Sequence, residues 1–131
     1  MKLLVDTSVA ILYLRDVPAI VDRLVRYHAR DVAISSVTLM ELVAAIYQGD
    51  GRKANREQVR SASGKFTVLD FDSNAAIHAA ALFARHDVRG DRAPVFDGLI
   101  AAHASSLDIP VVYCDGDFNR FAIKKQLWSR A

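Results

Sequence analysis

The sequence predicts an α/β protein of one domain, spanning residues 1–131, in which a mainly parallel sheet is covered by helices on both faces. Two observations carry this. Short apolar runs rich in β-branched residues, at 3–5, 32–35, 66–69 and 111–113, are separated by longer segments of helical pattern. That alternation builds parallel strands joined by crossover helices. The 131 residues and a composition 52% hydrophobic and 24% charged suit a single sizeable core.

The elements follow in order. Leu3, Leu4 and Val5 form a buried-strand run that stops at Asp6, and Thr7 and Ser8 are good starters for the apolar helix that runs to Leu14. Arg15, Asp16, Val17 and Pro18 make a charged turn. A helix over 19–29 puts Ile20, Leu24 and Tyr27 on one side. The second strand is expected at 32–35. The helix after it, 36–48, is apolar almost all round and is expected to be deeply buried, ending at Gly49-Asp50-Gly51. Residues 52–65 are strongly basic, with Arg52, Lys53, Arg56, Arg60 and Lys65 against Glu57, and read as a solvated helix. A third strand at 66–69 leads to Asp72-Ser73-Asn74, a cap for an alanine-rich helix to about 86. Residues 88–93 are a loop around Gly90, and Pro94 opens a helix to about 107. After the turn Asp108-Ile109-Pro110, residues 111–113 read as the last strand. Residues 114–118 then turn into a C-terminal helix ending near Trp128.

Composition narrows the function classes. The net charge of +2 is mildly basic and permits a nucleic-acid partner. Cys114 is the only cysteine, which rules out an internal disulfide and suits a reducing, cytoplasmic setting. Asp6 interrupts the N-terminal apolar run too early for a signal peptide, and no stretch approaches the ~20 apolar residues of a membrane span.

The acids carry the chemistry. Asp6 sits where a strand meets a helix; it either caps that helix or faces a ligand at the sheet's carboxyl edge. Glu41 lies in an almost wholly apolar helix, where an unpartnered carboxylate is costly. Thr38-x-x-Glu41 matches a capping box, and capping and metal binding are compatible roles there. Asp97 falls in a helix first turn, where an acid also complements the helix dipole. Asp115 and Asp117 follow the last strand in an Asp-Gly-Asp turn, and Asp117 is also a candidate cap. Asp70 and Asp72 follow the third strand with the same two readings, Asp72 reading as a plain cap. His103, six residues beyond Asp97, lies on a different helix face and reads as a packed or surface histidine. In a parallel sheet Asp6, Glu41, Asp97 and Asp115 all open on one edge. Carboxylates within ~4 Å of one another repel by about 4 kcal/mol per pair at an effective dielectric of about 20. A hard divalent cation relieves that, and an oxygen-only donor set suits Mg²⁺ or Mn²⁺.

At these residues the chain resembles the PIN-domain nucleases, and within them the VapC-type toxins of bacterial toxin–antitoxin pairs. The matching pieces are Leu4-Val5-Asp6-Thr7-Ser8, Ser35-x-x-Thr38-x-x-Glu41-Leu42, Asp97-Gly98-Leu99-Ile100-Ala101-Ala102 and Asp115-Gly116-Asp117-Phe118. Their order and spacing cover essentially the whole chain. Tyr113 stands where many members carry threonine or serine, and Gly98 where alanine is usual. The resemblance implies a three-layer α/β/α sandwich with a sheet of four to five strands and a Mg²⁺-dependent endoribonuclease activity. It implies an acidic pocket of Asp6, Glu41, Asp97 and Asp115, with Asp6 and Asp97 the firmest ligands and Asp117 a fifth member or a structural cap. Thr7 or Ser8 would bond a ligand carboxylate or the scissile phosphate. It also implies a homodimer and an antitoxin whose C-terminal segment covers the acids. RNA needs cations around such a pocket, and Arg15, Arg89, Arg92 and Arg120 are the candidates near the expected loops. A receiver domain would want a second acid after Asp6 and a lysine in the region Asp115 occupies, and it leaves Glu41 unexplained. A haloacid-dehalogenase-type phosphatase would want an acid at Ser8. A PIN domain that binds RNA or a partner without cutting is the remaining alternative.

Overall fold

The computed structural model describes residues 1–48, 60–61, 63–90 and 93–131. Most of the basic stretch, including Arg52, Lys53 and Arg56, and the candidate Arg92 lie outside the described residues. The described elements, in order, are β1 (Leu3–Val5), α1 (Thr7–Leu14), α2 (Pro18–Leu24), a 3₁₀ turn (Ala29–Asp31), β2 (Val32–Ser35), α3 (Ser36–Gln48) and β3 (Thr67–Leu69). They continue with α4 (Ser73–Val88), α5 (Val95–Ser106), β4 (Val111–Tyr113), a 3₁₀ helix (Gly116–Arg120) and β5 (Lys125–Leu127).

The five strands among the described residues form one sheet in the order β3-β2-β1-β4-β5, and every pairing is parallel. Alternate strand residues face opposite sides. Leu3, Val5, Val32, Ile34 and Val112 join Val9, Ala10, Ile20 and Leu24 of α1 and α2 in one core. Leu4, Ala33, Val111 and Tyr113 join Ala79 and Leu82 of α4, and Ile100, Ala101, Ala102 and Ala104 of α5, in the other. This is the expected α/β/α sandwich. Strand order reverses between β1 and β4, so the crevice where open sheets bind ligands lies at the carboxyl ends of those two strands. Asp6 directly follows β1, and Asp115 follows β4 by two residues.

Three expectations are corrected. The C-terminal segment after Asp117 is a short 3₁₀ helix and then a strand, so β4 is not the last strand. Lys125, Gln126 and Leu127 pair with Val111, Val112 and Tyr113, and the Trp128 amide bonds to the Tyr113 carbonyl at 2.8 Å. The fully buried Trp128 ring fixes this edge strand in the first core, with the Arg23 guanidinium 4.5 Å from its centre. Secondly, α2 ends at Leu24, so Tyr27 lies beyond it. Thirdly, α3 is not deeply buried: Thr38 and Leu42 are, but Met40 is 44% and Tyr47 55% exposed. It packs one stripe against β2, α1 and α5 and leaves the rest of its apolar surface open.

Candidate active site

Asp6 is buried, with 2% of its surface exposed. It caps α1: Oδ1 accepts the Val9 amide at 2.9 Å, and Oδ2 accepts the Ser8 hydroxyl at 2.8 Å. The capping reading of Asp6 therefore holds. Burial pushes its carboxyl up to about 7, against the two hydrogen bonds and with further help from the negative charges of Asp115 and Asp97. Ser8 Oγ also lies 3.4 Å from the sulfur of Cys114.

Glu41 is half-buried on α3 and is reached from α1. Thr7 Oγ1 lies 2.6 Å from Glu41 Oε1 and 3.1 Å from Thr38 Oγ1. A hydroxyl has one proton, so Thr7 gives its own to the carboxylate and is left to accept from Thr38. The expected capping box is not formed. Thr38 lies inside the first turn, and the start of α3 is served instead by Ser35, whose Oγ accepts the Val37 amide at 3.1 Å.

Asp97 stands in the first turn of α5. Its carboxyl is pushed up to about 6, chiefly by burial, then by the charges of Asp115, Asp117 and Glu41, with Arg120 opposing them. Asp115 caps the Gly116–Arg120 helix, accepting the Asp117 amide at 3.0 Å. Asp117 itself is exposed and caps nothing there. Asp6, Glu41, Asp97, Asp115 and Asp117 thus share one negative field, although they come from four separate stretches of chain. Among the described residues no three acids, histidines or cysteines are gathered tightly enough to enclose an ion as they stand. The arrangement is an open acidic mouth.

Of the cations, Arg120 ends the 3₁₀ helix and acts on Asp97. Arg15 caps the far end of α1, about 14 Å along the helix from Asp6 at about 1.5 Å per residue, and is not brought to the acids. Arg89 caps α4, its guanidinium 3.1 Å from His86 Nδ1. His103 is one support that sequence reasoning left without a partner. It is fully buried on α5, its Nδ1 is 2.8 Å from Ser35 Oγ, and Phe71 meets its ring edge to face. Burial lowers its pKa, with Asp72 and Asp70 opposing, so the ring is neutral and ties α5 to the start of α3. Only the distant Ser35, placed by the β2–α3 junction, reveals that role.

Residues 3–124 match the PIN domain family model. The chain belongs to the PIN domain family. Within that family it is VapC-like: it is 30% identical over 112 residues to the tRNA(fMet)-specific endonuclease VapC of Shigella flexneri, covering 86% of this chain and 85% of that protein. The protein of the same name from Salmonella typhimurium matches over the same extent at the same identity. Among solved structures, the DNA-bound VapBC of Salmonella typhimurium superposes with a TM-score of 0.85 at 28% identity, covering 98% of both chains. FitAcB from Neisseria gonorrhoeae gives 0.76 at 26% identity, covering 95% of this chain and 96% of that one. No helix among the described residues of this PIN domain is long and apolar enough to cross a membrane.

Proposed function

We propose that this PIN domain is a Mg²⁺-dependent endoribonuclease, the toxin of a VapBC-type pair. The observation that supports it above all is the state of Asp6 and Asp97, whose carboxyls are held near neutrality by burial and by the acids around them. A structural role asks for none of this crowding. The donor set fits a hard cation, since it is oxygen-only and its mutual repulsion is what a divalent ion relieves. Asp6 and Asp97 would hold Mg²⁺, or Mn²⁺ in its place, with Asp115 and Glu41 closing the set and Asp117 at the exposed rim. The chemistry such an ion supplies is a nucleophilic water at neutral pH and positive charge at the phosphate and the leaving oxygen. The chain's own residues set the stage. Ser8 orients the Asp6 carboxyl, Thr7 and Thr38 fix Glu41, and Arg120 offers the phosphate a cation beside the acids.

The relatives named VapC are tRNA(fMet)-specific endonucleases, and the Salmonella structure is a VapBC complex. By that likeness the partners here are RNA, a VapB-like antitoxin whose terminal segment covers the acids, and a second copy of the chain, in the cytoplasm. The deciding experiment is cleavage of a pool of folded RNAs with Mg²⁺ and with EDTA, beside Asp6→Ala and Asp97→Asn. Metal-dependent cleavage lost in both variants is expected. The second reading, RNA or partner binding without cleavage, is favoured by the open spacing of the acids. Wild-type protein that is folded and free of antitoxin, yet leaves every RNA intact, would replace the first reading by the second.

A further inference from the structure

A cavity of about 480 Å³ opens at the C-terminal end of α4, lined by Leu82, Ala84, Arg85, His86, Val88, Arg89 and Ala122. Its volume is that of a small-molecule site. Two features set it apart from an ordinary seam between elements. Val88 is left 88% exposed at its edge, and Arg85 and Arg89, one helical turn apart, pair with no carboxylate among the described residues. The Arg89 guanidinium lies against the His86 ring, which meets Phe121 edge to face, so one wall is made of flat groups. Among the described residues the lining contains no acid.

The cavity flanks the acidic mouth. Ala122 follows Arg120 by two residues, and the charge of Arg120 acts on Asp97. On the α4 side, Phe83 packs against Gly98, the neighbour of Asp97.

We infer that this cavity is a subsite for an unpaired nucleotide of the RNA, its base held against the apolar floor and the Arg89–His86 wall and its phosphate by Arg85. The inference rests on the endoribonuclease reading. Apolar and flat groups beside guanidinium groups that no carboxylate engages are how single-stranded nucleic acid is bound without sequence readout. A polyanion entering an acidic mouth also needs compensating cations next to it. A peptide anchor would use the apolar floor, but nothing on this chain asks for it at the flank of the acids.

The test uses fluorescently labelled single-stranded RNA bound to the Asp97→Asn protein, read by anisotropy without metal. Arg85→Gln, Arg89→Gln and Val88→Glu are added singly, with Arg30→Gln as a control that removes the same charge far from the cavity. Each cavity variant is expected to weaken binding about tenfold, within the range for losing one stacking or phosphate contact, and Arg30→Gln to weaken it less than twofold. In the cleaving parent, the same variants should raise KM rather than lower kcat. Equal loss from Arg30→Gln, or no loss from the cavity variants, would overturn the subsite. So would a change of oligomeric state in those variants by light scattering, or loss of antitoxin binding with RNA binding intact, since either assigns the cavity to a protein. Failure of the endoribonuclease reading shows separately, as wild-type protein that cuts no RNA.

Discussion

Asp6 holds two roles that pull its chemistry in different directions. As a cap it accepts the Val9 amide and the Ser8 hydroxyl, yet burial and neighbouring acids disfavour its charge. Asparagine caps as well as aspartate. Asp6→Asn should therefore leave metal-free stability equal or higher in urea titrations while abolishing cleavage, whereas Asp6→Ala should cost about 1 kcal/mol through the lost cap. A large loss of stability in Asp6→Asn would make Asp6 a structural residue. The same crowding fixes a pH dependence. The carboxyls of Asp6 and Asp97 are raised from 3.8 to about 7 and about 6, so the folded state binds protons more tightly than the unfolded chain. The stability they contribute is full below about pH 4 and is lost as pH rises through 6 and 7. His103 opposes this: its lowered pKa means that stability is lost as pH falls below the unfolded value of 6.5. The difference between wild type and Asp97→Asn cancels His103 and isolates the carboxyl. Without metal, Asp97→Asn should gain on the wild type steadily from about pH 4 to about pH 6 and hold that gain above it; a pH-independent difference would mean that the shared field does not act on Asp97.

At the scale of elements, α4 and α5 pack closely on each other where Phe83 meets Gly98. A methyl group built on Gly98 would stand 2.5 Å from Cζ and 2.7 Å from Cε1 of Phe83, so glycine at this place in the family motif makes room for that ring. Gly98→Ala should destabilise by about 1–3 kcal/mol despite alanine's better helix propensity. Adding Phe83→Leu should cancel part of that penalty, a coupling that a double-mutant cycle measures. Independent effects would mean that the ring swings aside freely. Most elements were legible because their period and caps agree: Asp6 and Asp72 cap α1 and α4 as the sequence suggests. The misreadings arose where tertiary contacts decide. Residues 125–127 have no strand alternation, and only pairing to β4 and the burial of Trp128 make them extended. The apolar pattern of α3 did not show that one of its faces would go uncovered, because no pattern says which neighbours are at hand.

At the scale of the whole molecule, the fold's contribution is to bring four distant chain segments to one edge. The order β3-β2-β1-β4-β5 puts its reversal at β1 and β4, and the acids that follow those strands become neighbours for that topological reason. The five acids stood out because four carry a local signature at an element's start or end and Glu41 interrupts an apolar helix. The resemblance implied that Thr7 or Ser8 bonds a ligand carboxylate, and Thr7 reaches Glu41 across 34 residues; the Ser35–His103 contact was not legible, since a separation of 68 residues leaves no local trace. Nor does sequence show how widely the acids stand apart before an ion arrives. That openness gives the last prediction. Folding the metal-free chain leaves Asp6 and Asp97 in each other's field, so a cation that binds only the folded state must stabilise it by mass action. At 100 times its dissociation constant the gain is about 2.7 kcal/mol, a rise of roughly 10 °C in Tm for a domain of this size. Mg²⁺ should therefore raise the Tm of the wild type and EDTA should reverse it, while Asp97→Asn, already relieved of the repulsion, should respond far less. An equal response in both proteins would place the ion elsewhere on the surface. No response in either, with RNA still cleaved, would mean that the metal enters together with the substrate phosphate, whose oxygens would then complete the set that the acids leave open.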